Sequence, residues 1–261
     1  MEMENYIWPL KMLIQETANS VTIEPSLSIG ACIVINAPLV SHHVLVNILA
    51  LSSLRICADG GSNVMYDTIS SGSCPECERM LPHIIIGDLD SIREDVRQFF
   101  ETRGVEIMKV WDQDRTDLDK ALGYAATKLS GSSTSYVPIV GSIGAHEGRI
   151  DQFFAVLHAM FKYRDSSVIR PIQVGNQSIV IVLGSGNHEI DIPESAIDRH
   201  CGLVPIFGRV EKIKTTGLEW NLDHGMGPSF FGGLVSTNNI LRAPLVIVET
   251  SDPILFTLTY R

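Results

Sequence analysis

Residues 84–91 read Ile-Ile-Ile-Gly-Asp-Leu-Asp-Ser, so an apolar strand runs directly into two carboxylates. Extended residues two apart point the same way, and we expect Asp88 and Asp90 to lie side by side. Like charges repel unless a cation lies between them, which favours a metal site over a solvated turn in which Asp90 or Ser91 caps the next helix. Oxygen ligands suit Mg²⁺ better than zinc. This stretch therefore predicts a magnesium site at a strand end.

Short apolar runs and helical patterns alternate on both sides of this stretch, from Ile29 to Tyr163. Such alternation predicts an α/β domain whose mostly parallel sheet carries helices on both faces and binds ligands at the carboxyl ends of its strands. After about residue 165, short strands separated by Gly, Asn, Asp and Pro predict an all-β domain of sandwich or barrel type. We expect an N-terminal extension at 1–28, the α/β domain at 29–165 and the β domain at 171–261.

The overall composition narrows the classes of partner. The chain has 261 residues, 45% of them hydrophobic, and a formal net charge of -10. An acidic protein is poorly suited to nucleic acid or to anionic membranes, so neither is an expected partner. The sequence shows no secretory signal pattern and no apolar run long enough for a transmembrane helix, which predicts a cytoplasmic location.

The five cysteines predict no disulfide framework. Cys74 and Cys77 form a Cys-x-x-Cys pair without a second pair to complete a zinc site. We expect reduced thiols and an inert surface loop at this pair, in preference to zinc or redox chemistry.

Two further post-strand loops carry aspartates. Asp59 and Gly60 lie between a strand and a helix, where backbone N–H groups can approach a phosphate, although a simple helix cap explains the loop equally well. Residues 112–120 contain four aspartates, more than a helix N-terminus needs. Asp117 is the predicted metal or substrate ligand and Thr116 the predicted helix cap. Asp112 and Asp119 are expected to be solvated helix charges.

A glycine-rich loop at 141–148 leads into Arg149, Asp151 and Gln152. Arg149 could neutralise charge on a transferring phosphoryl group while Asp151 and Gln152 orient a substrate or metal-bound water. A surface ion pair between Arg149 and Asp151 is the alternative.

In the β domain, Trp220 lies in a strand-like stretch and residues 236–238 read Ser-Thr-Asn. A Trp in such a domain usually packs in the core, and taken by itself Trp220 is predicted to do so.

These motifs, in this order, resemble the thiamine pyrophosphokinase family of the eukaryotic type, over roughly residues 29 to 250. The resemblance implies transfer of a pyrophosphoryl group from ATP to the hydroxyl of thiamine, giving thiamine diphosphate and AMP with Mg²⁺ as cofactor. It also implies a homodimer with its active sites between the subunits. The α/β domain would bind ATP and Mg²⁺, and the β domain would bind thiamine.

The resemblance assigns roles to individual residues. The implied metal ligands are Asp59, Asp88, Asp90 and Asp117, and the implied catalytic residues are Asp117, Asp151 and Arg149, either aspartate being the base that accepts the hydroxyl proton. The implied ATP and substrate contacts are Asp59, Gly60, Gln113, Thr116, Gln152, Trp220, Ser236, Thr237 and Asn238. An indole such as that of Trp220 can stack on the thiamine pyrimidine, and a thiazolium cation is favoured near aromatic faces and carboxylates.

Two other functions fit part of the sequence. An Asp-x-Asp pair after a strand also serves metal-dependent transferases that use sugar nucleotides or nucleotides. The glycine-rich loop is longer than the compact loop usual in the family, which motivates a non-catalytic thiamine or nucleotide sensor as a further alternative.

Overall fold

The computed structural model describes residues 4–14, 29–131, 135–141, 149–225 and 232–260. The chain divides into two compact units. The α/β unit comprises residues 22–176, and the β unit comprises residues 1–21 and 177–261. Each unit is described by itself below.

The regular elements are numbered in chain order. The helices are α1 (Leu10–Ile14), α2 (His42–Leu51), α3 (Gly61–Ser70), α4 (Glu94–Glu101), α5 (Asp117–Leu129) and α6 (Ile150–Lys162). The strands are β1 (Asn5–Trp8), β2 (Ala31–Val34), β3 (Leu54–Ala58), β4 (Ile84–Gly87), β5 (Glu106–Lys109), β6 (Ser135–Val140), β7 (Ile169–Val174), β8 (Ser178–Leu183), β9 (Gly186–Asp191), β10 (His200–Val204), β11 (Ile213–Thr216), β12 (Ser236–Ile240), β13 (Leu245–Thr250) and β14 (Ile254–Thr259).

The α/β unit is built on a parallel sheet with the strand order β7-β6-β2-β3-β4-β5. Every residue of β2, β4 and β6 is buried, as expected for strands covered on both faces. This confirms the predicted mostly parallel sheet. β7 pairs in parallel with β6, so the sheet continues through the segment where the sequence placed the junction between domains.

Helix α5 begins where the sequence predicted. The Thr116 side chain accepts a hydrogen bond from the backbone N–H of Asp119 and caps the helix. Leu118, Ala121, Leu122 and Ala125 are buried at helical spacing and form the face that packs on β3 and β4. This packing holds the first turn of α5 beside the carboxyl end of β4.

The β unit contains two sheets, with the strand orders β1-β9-β13-β11 and β12-β10-β14-β8. Burial alternates along β9, the pattern of a strand with one face in the core. The predicted β-rich C-terminal region is confirmed. Residues 5–8, which the sequence placed in an N-terminal extension, form β1 and pair in parallel with β9. The indole N–H of Trp8, which is fully buried, donates to Nδ1 of His188 at 3.1 Å.

The structure corrects the prediction for the Cys-x-x-Cys pair. Cys74 and Cys77 form a disulfide and are both buried in an otherwise exposed loop, so the expectation of reduced thiols is wrong for this pair. Cys32, Cys57 and Cys201 are free and buried, as the remaining thiols were expected to be reduced.

In the described part of the chain, no helix has the length and apolar character needed to cross a membrane.

Candidate active site

Three carboxylates meet at the carboxyl edge of the parallel sheet. Asp59 follows β3, Asp88 follows β4 and Asp117 opens α5. Each offers one oxygen, and these oxygens all lie within 4.8 Å of one another. We refer to Asp59, Asp88 and Asp117 as the aspartate cluster. Because neighbouring parallel strands end at the same edge, residues far apart in sequence converge here.

The last residue of β4 explains how the cluster can be so compact. A Cβ atom on Gly87 would lie 2.7 Å from the Cβ of Asp59 and 3.0 Å from Oδ1 of Asp117. Any side chain at this position would push the carboxylates apart, so the glycine allows them to approach each other.

Asp59 is held by backbone donors from the loop after β4. Its two carboxylate oxygens accept hydrogen bonds from the backbone N–H groups of Ser91 and Ile92, at 3.0 and 3.2 Å. The N-cap of α3 is Gly60, so Asp59 does not cap this helix with its side chain. Burial raises the pKa of Asp59 to about 6, and the nearby charge of Asp117 adds to the increase.

The chain is not extended between Asp88 and Asp90, so the geometry expected for them is wrong, although their carboxylates still interact. Leu89 has φ 61°, which places it in the left-handed region and turns the chain between them. Asp88 joins the cluster. The Asp90 carboxylate instead accepts a hydrogen bond from the Ser91 hydroxyl at 2.8 Å, and it is not among the grouped oxygens.

Lys120 is the main residue of this site that the sequence analysis missed. Its side chain is buried, and Nζ lies 3.0 Å from Oδ1 of Asp117 and 3.9 Å from Oδ2 of Asp88. The i,i+3 spacing from Asp117 on a helix was the available signal. The ammonium group of Lys120 therefore lies against two members of the aspartate cluster.

Asp119 is not the solvated helix charge that the sequence predicted. It is buried, and its Oδ2 accepts a hydrogen bond from Nζ of Lys162 at 2.8 Å, which links α5 to α6. Asp112 is half-buried and accepts a hydrogen bond from the backbone N–H of Asp114. Neither residue belongs to the aspartate cluster.

A cavity of about 670 Å³ opens above the cluster. Asn36 and Arg115 line it although the sequence gave no reason to select them. The sequence-predicted residues that line it are Asp59, Gly60, Asp88, Gln113, Thr116, Asp117, Arg149 and Gln152. A cavity of this volume is within the range of small-molecule sites.

Arg149 and Asp151 form an ion pair, which was the alternative to a catalytic role. Nε of Arg149 donates to Oδ1 of Asp151 at 3.1 Å, and both side chains are exposed. The Arg149 guanidinium lowers the pKa of Asp151. Asp151 is not among the residues that line the cavity. The glycine-rich loop is described only at Gly141, because residues 142–148 lie outside the described residues.

Trp220 lies on the surface of the β unit with 59% of its side chain exposed, so the prediction of core packing is wrong. Buried Asn239 fixes its backbone, because the Trp220 N–H donates to Asn239 Oδ1 at 3.1 Å and Asn239 Nδ2 donates to the Trp220 carbonyl at 2.8 Å. Asn239 is a second residue that the sequence analysis missed. Its Nδ2 also lies 3.4 Å from the Ser236 hydroxyl.

Thr237 and Asn238 are exposed on β12, next to Asn239. Asn238 has φ 58°, which asparagine tolerates better than most residues. Asn239 thus contacts both Trp220 and Ser236, and the exposed residues Thr237 and Asn238 lie next to it in the sequence.

The sequence matches two family models. Thiamin pyrophosphokinase, catalytic domain, matches residues 45–170, and Thiamin pyrophosphokinase, vitamin B1 binding domain, matches residues 187–255. Thiamine pyrophosphokinase 1 of Arabidopsis thaliana is 33% identical over 216 residues, which are 80% of this chain and 79% of that protein.

The chain belongs to the thiamin pyrophosphokinase family. Thiamine pyrophosphokinase 1 of Oryza sativa subsp. japonica is 32% identical over the same shares of the two chains. The chain is thus an enzyme that transfers the pyrophosphoryl group of ATP to thiamine and forms thiamine diphosphate. Family membership favours this reaction over the transferase and sensor alternatives.

Solved thiamin pyrophosphokinase structures share the fold. The enzyme from Candida albicans aligns with a TM-score of 0.72 at 22% identity, covering 94% of this chain and 97% of that one. The yeast enzyme aligns with a TM-score of 0.77 at 20% identity, covering 99% of this chain and 92% of that one. These alignments agree with the α/β unit and the β unit of this chain.

Proposed function

We propose that the cavity above the aspartate cluster is the ATP site of the pyrophosphoryl transfer, and that Asp59, Asp88 and Asp117 hold Mg²⁺ there. The observation that carries this proposal is the convergence of three carboxylates from three separate segments in one cavity. Oxygen donors alone suit Mg²⁺, which proteins usually hold through one or two carboxylates together with substrate phosphates. Asp90, two residues after Asp88 in the sequence, is the fourth acidic residue that we propose for the metal site.

Mg²⁺ bound at this site would neutralise phosphate oxygens and favour displacement at the β-phosphorus of ATP. The chain's own residues bind and orient the reactants. Gly60 and Thr116 are proposed to contact phosphate oxygens at the N-termini of α3 and α5, where backbone N–H groups and the helix dipole favour anions. Gln113 and Gln152 supply amide groups at the cavity wall.

Arg149 is proposed to neutralise charge on the transferring group. It lines the cavity, and its exposed guanidinium can leave Asp151 for a phosphate at little cost, because exposed ion pairs contribute little to stability. In this arrangement Asp151 holds Arg149 ready for the nucleotide.

Asp117 is the better candidate for the base that accepts the thiamine hydroxyl proton. It lines the cavity, whereas Asp151 does not.

The β unit is proposed to bind thiamine through Trp220, Ser236, Thr237 and Asn238. A large exposed aromatic side chain whose backbone is anchored on both sides offers a flat surface for the pyrimidine ring. We further propose that residues 29–165 carry catalysis and residues 171–261 carry thiamine binding, and that the protein is cytoplasmic.

We propose that the enzyme is a homodimer in which Trp220 of one subunit serves the aspartate cluster of its partner. The exposure of Trp220 supports this arrangement, because it leaves the indole available to a ligand or to a second chain.

The test is a chromatographic assay of the purified chain with Mg-ATP and thiamine, and a metal-free control. We expect AMP and thiamine diphosphate in equal amounts, and neither product without Mg²⁺. Formation of ADP with thiamine monophosphate would contradict the proposal, since it would mean attack at the γ-phosphorus. Equal turnover in the metal-free control would contradict the role of the aspartate cluster.

A further inference from the structure

Lys120 has an unusual position for a lysine. Only 2% of its side chain is exposed, and lysine is almost never fully buried unless it is paired. Its ammonium group lies 3.0 Å from Oδ1 of Asp117, and Asp88 Oδ2 lies 3.9 Å from it. Both partners are members of the aspartate cluster. The lysine is thus built into the proposed metal site rather than next to it.

The contacts of Asp117 show how Lys120 acts on this carboxylate. Oδ1 of Asp117 accepts hydrogen bonds from Nζ of Lys120 at 3.0 Å and from the backbone N–H of Asp88 at 3.2 Å. Two donors on one oxygen fix the orientation of the carboxylate and leave its other oxygen as the one with free acceptor capacity. Lys120 thereby limits how much of Asp117 is available to a cation.

The charges of the cluster give the lysine a second effect. Counting Asp90, whose carboxylate interacts with Asp59, Asp88 and Lys120, four carboxylates and one ammonium have a formal charge of -3. Without the ammonium the charge would be -4, and a nearby cation would be attracted more strongly. Mg²⁺ in nucleotide enzymes is held largely by substrate phosphates and not by an all-protein cage. A weak protein site allows the ion to arrive and leave with the nucleotide.

We propose that Lys120 is a positioning residue that weakens cation binding in the empty aspartate cluster, so that the cluster holds one Mg²⁺ firmly only when a nucleotide supplies the remaining ligands. This inference rests on the proposed function, because it assumes that the aspartate cluster binds the metal.

The experiment measures Mn²⁺ binding to the full chain without nucleotide, by the electron paramagnetic resonance signal of free Mn²⁺. Lys120→Met removes the charge and keeps most of the side-chain volume, and Lys120→Gln retains a hydrogen-bond donor without the charge. For both variants we expect Mn²⁺ to bind at least about 10-fold more tightly than to the wild type. Far-ultraviolet circular dichroism checks that each variant is folded, and Lys120→Gln serves if Lys120→Met is not.

Lys162→Met is the matched control. It also removes a lysine that pairs with an aspartate of α5, but its partner Asp119 lies outside the aspartate cluster. Its Mn²⁺ affinity should equal that of the wild type. A merely structural role for Lys120 would leave the Mn²⁺ affinity of its variants unchanged or lower it, and either result would overturn the inference.

The same titration distinguishes this inference from the proposed function. If Asp88→Asn abolishes Mg²⁺-dependent turnover while the Lys120 variants bind Mn²⁺ like the wild type, the inference alone fails. If Asp88→Asn and the wild type bind Mn²⁺ equally and turn over equally, the aspartate cluster is not the metal site and both fail.

Discussion

At the scale of single residues, the geometry of the site depends on the size and the backbone conformation of a few residues. Gly87 leaves space for Asp59 and Asp117, and the left-handed conformation of Leu89 turns the chain between Asp88 and Asp90. The nearby charge of Asp117 adds to the raised pKa of Asp59. This arrangement of negative charges lowers the stability of the metal-free protein.

Because the pKa of Asp59 is raised, the stability of the metal-free protein depends on pH. This pKa is 3.8 in the reference state and about 6 in the folded protein, chiefly because of burial. A group with a raised folded pKa stabilises the fold when it is protonated, so this contribution is present below about pH 4 and is lost as the pH rises through about 6. In EDTA, the melting temperature of the wild type should fall over that window more steeply than that of Asp59→Asn.

Circular dichroism melts from pH 4.5 to 7.5 test this prediction. Added Mg-ATP at pH 7.5 should raise the melting temperature of the wild type more than that of Asp59→Asn. Identical pH profiles for the two proteins would show that Asp59 does not titrate in this range.

At the scale of elements, two anchored segments present the functional groups. The packing of α5 on β3 and β4 places Asp117 and Lys120 beside the strand ends. In the β unit, Asn239 of β12 holds the backbone of Trp220 through two hydrogen bonds. The apolar face of α5 is recognisable from a local pattern, whereas the role of Asn239 is not.

The role of Asn239 leads to a prediction about thiamine binding. Trp220→Ala should raise the KM for thiamine by about 10-fold or more, because stacking on an aromatic ring contributes roughly 1–2 kcal/mol. Asn239→Ala should raise the same KM, since the Trp220 backbone loses its two hydrogen bonds. The KM for ATP should change little in either variant.

Steady-state kinetics with each substrate varied in turn provides the measurement. Trp111→Ala is the matched control, because Trp111 is even more exposed, at 74%, and does not line the cavity. Its KM for thiamine should equal that of the wild type. An unchanged thiamine KM in Trp220→Ala would remove Trp220 from the proposed thiamine site.

At the scale of the whole molecule, periodicity in the sequence was sufficient for the architecture. Alternating strand and helix patterns predicted the parallel sheet, and short strands separated by turn residues predicted the β-rich C-terminal region. The convergence of Asp59, Asp88 and Asp117 followed from their positions after strands. These features depend on local patterns and on the general geometry of parallel sheets.

Features that depend on distant partners were not predictable. β1 pairs with β9, which lies about 180 residues away in the sequence. Asp119 is buried and accepts a hydrogen bond from Lys162 of α6, which is also distant in the sequence. The turn at Leu89 contradicts the simple alternation expected of an extended chain. The exposure of Trp220 likewise follows from tertiary structure, whereas its residue type alone favoured the core.

The proposed homodimer can be tested by mixing two impaired variants at a thiamine concentration well below the wild-type KM. If Trp220 serves the partner's aspartate cluster, an equal mixture of Asp88→Asn and Trp220→Ala should form heterodimers with one intact site each and recover up to about a quarter of wild-type activity. Reversible unfolding allows the subunits to exchange, and light scattering gives the mass of the product. Activity no greater than the mean of the two separate variants would contradict shared sites.

The most direct test of the account is thiamine diphosphate formation as a function of Mg²⁺ concentration in the wild type and in Asp88→Asn. Asp95→Asn is the control, because Asp95 is an exposed aspartate on α4 outside the cavity. The account predicts that Asp88→Asn lowers kcat by at least about 100-fold and raises the Mg²⁺ requirement, as loss of a group that stabilises transition-state charge does. Asp95→Asn should match the wild type. Unchanged kcat and an unchanged Mg²⁺ dependence in folded Asp88→Asn would contradict the assignment of the aspartate cluster as the catalytic metal site.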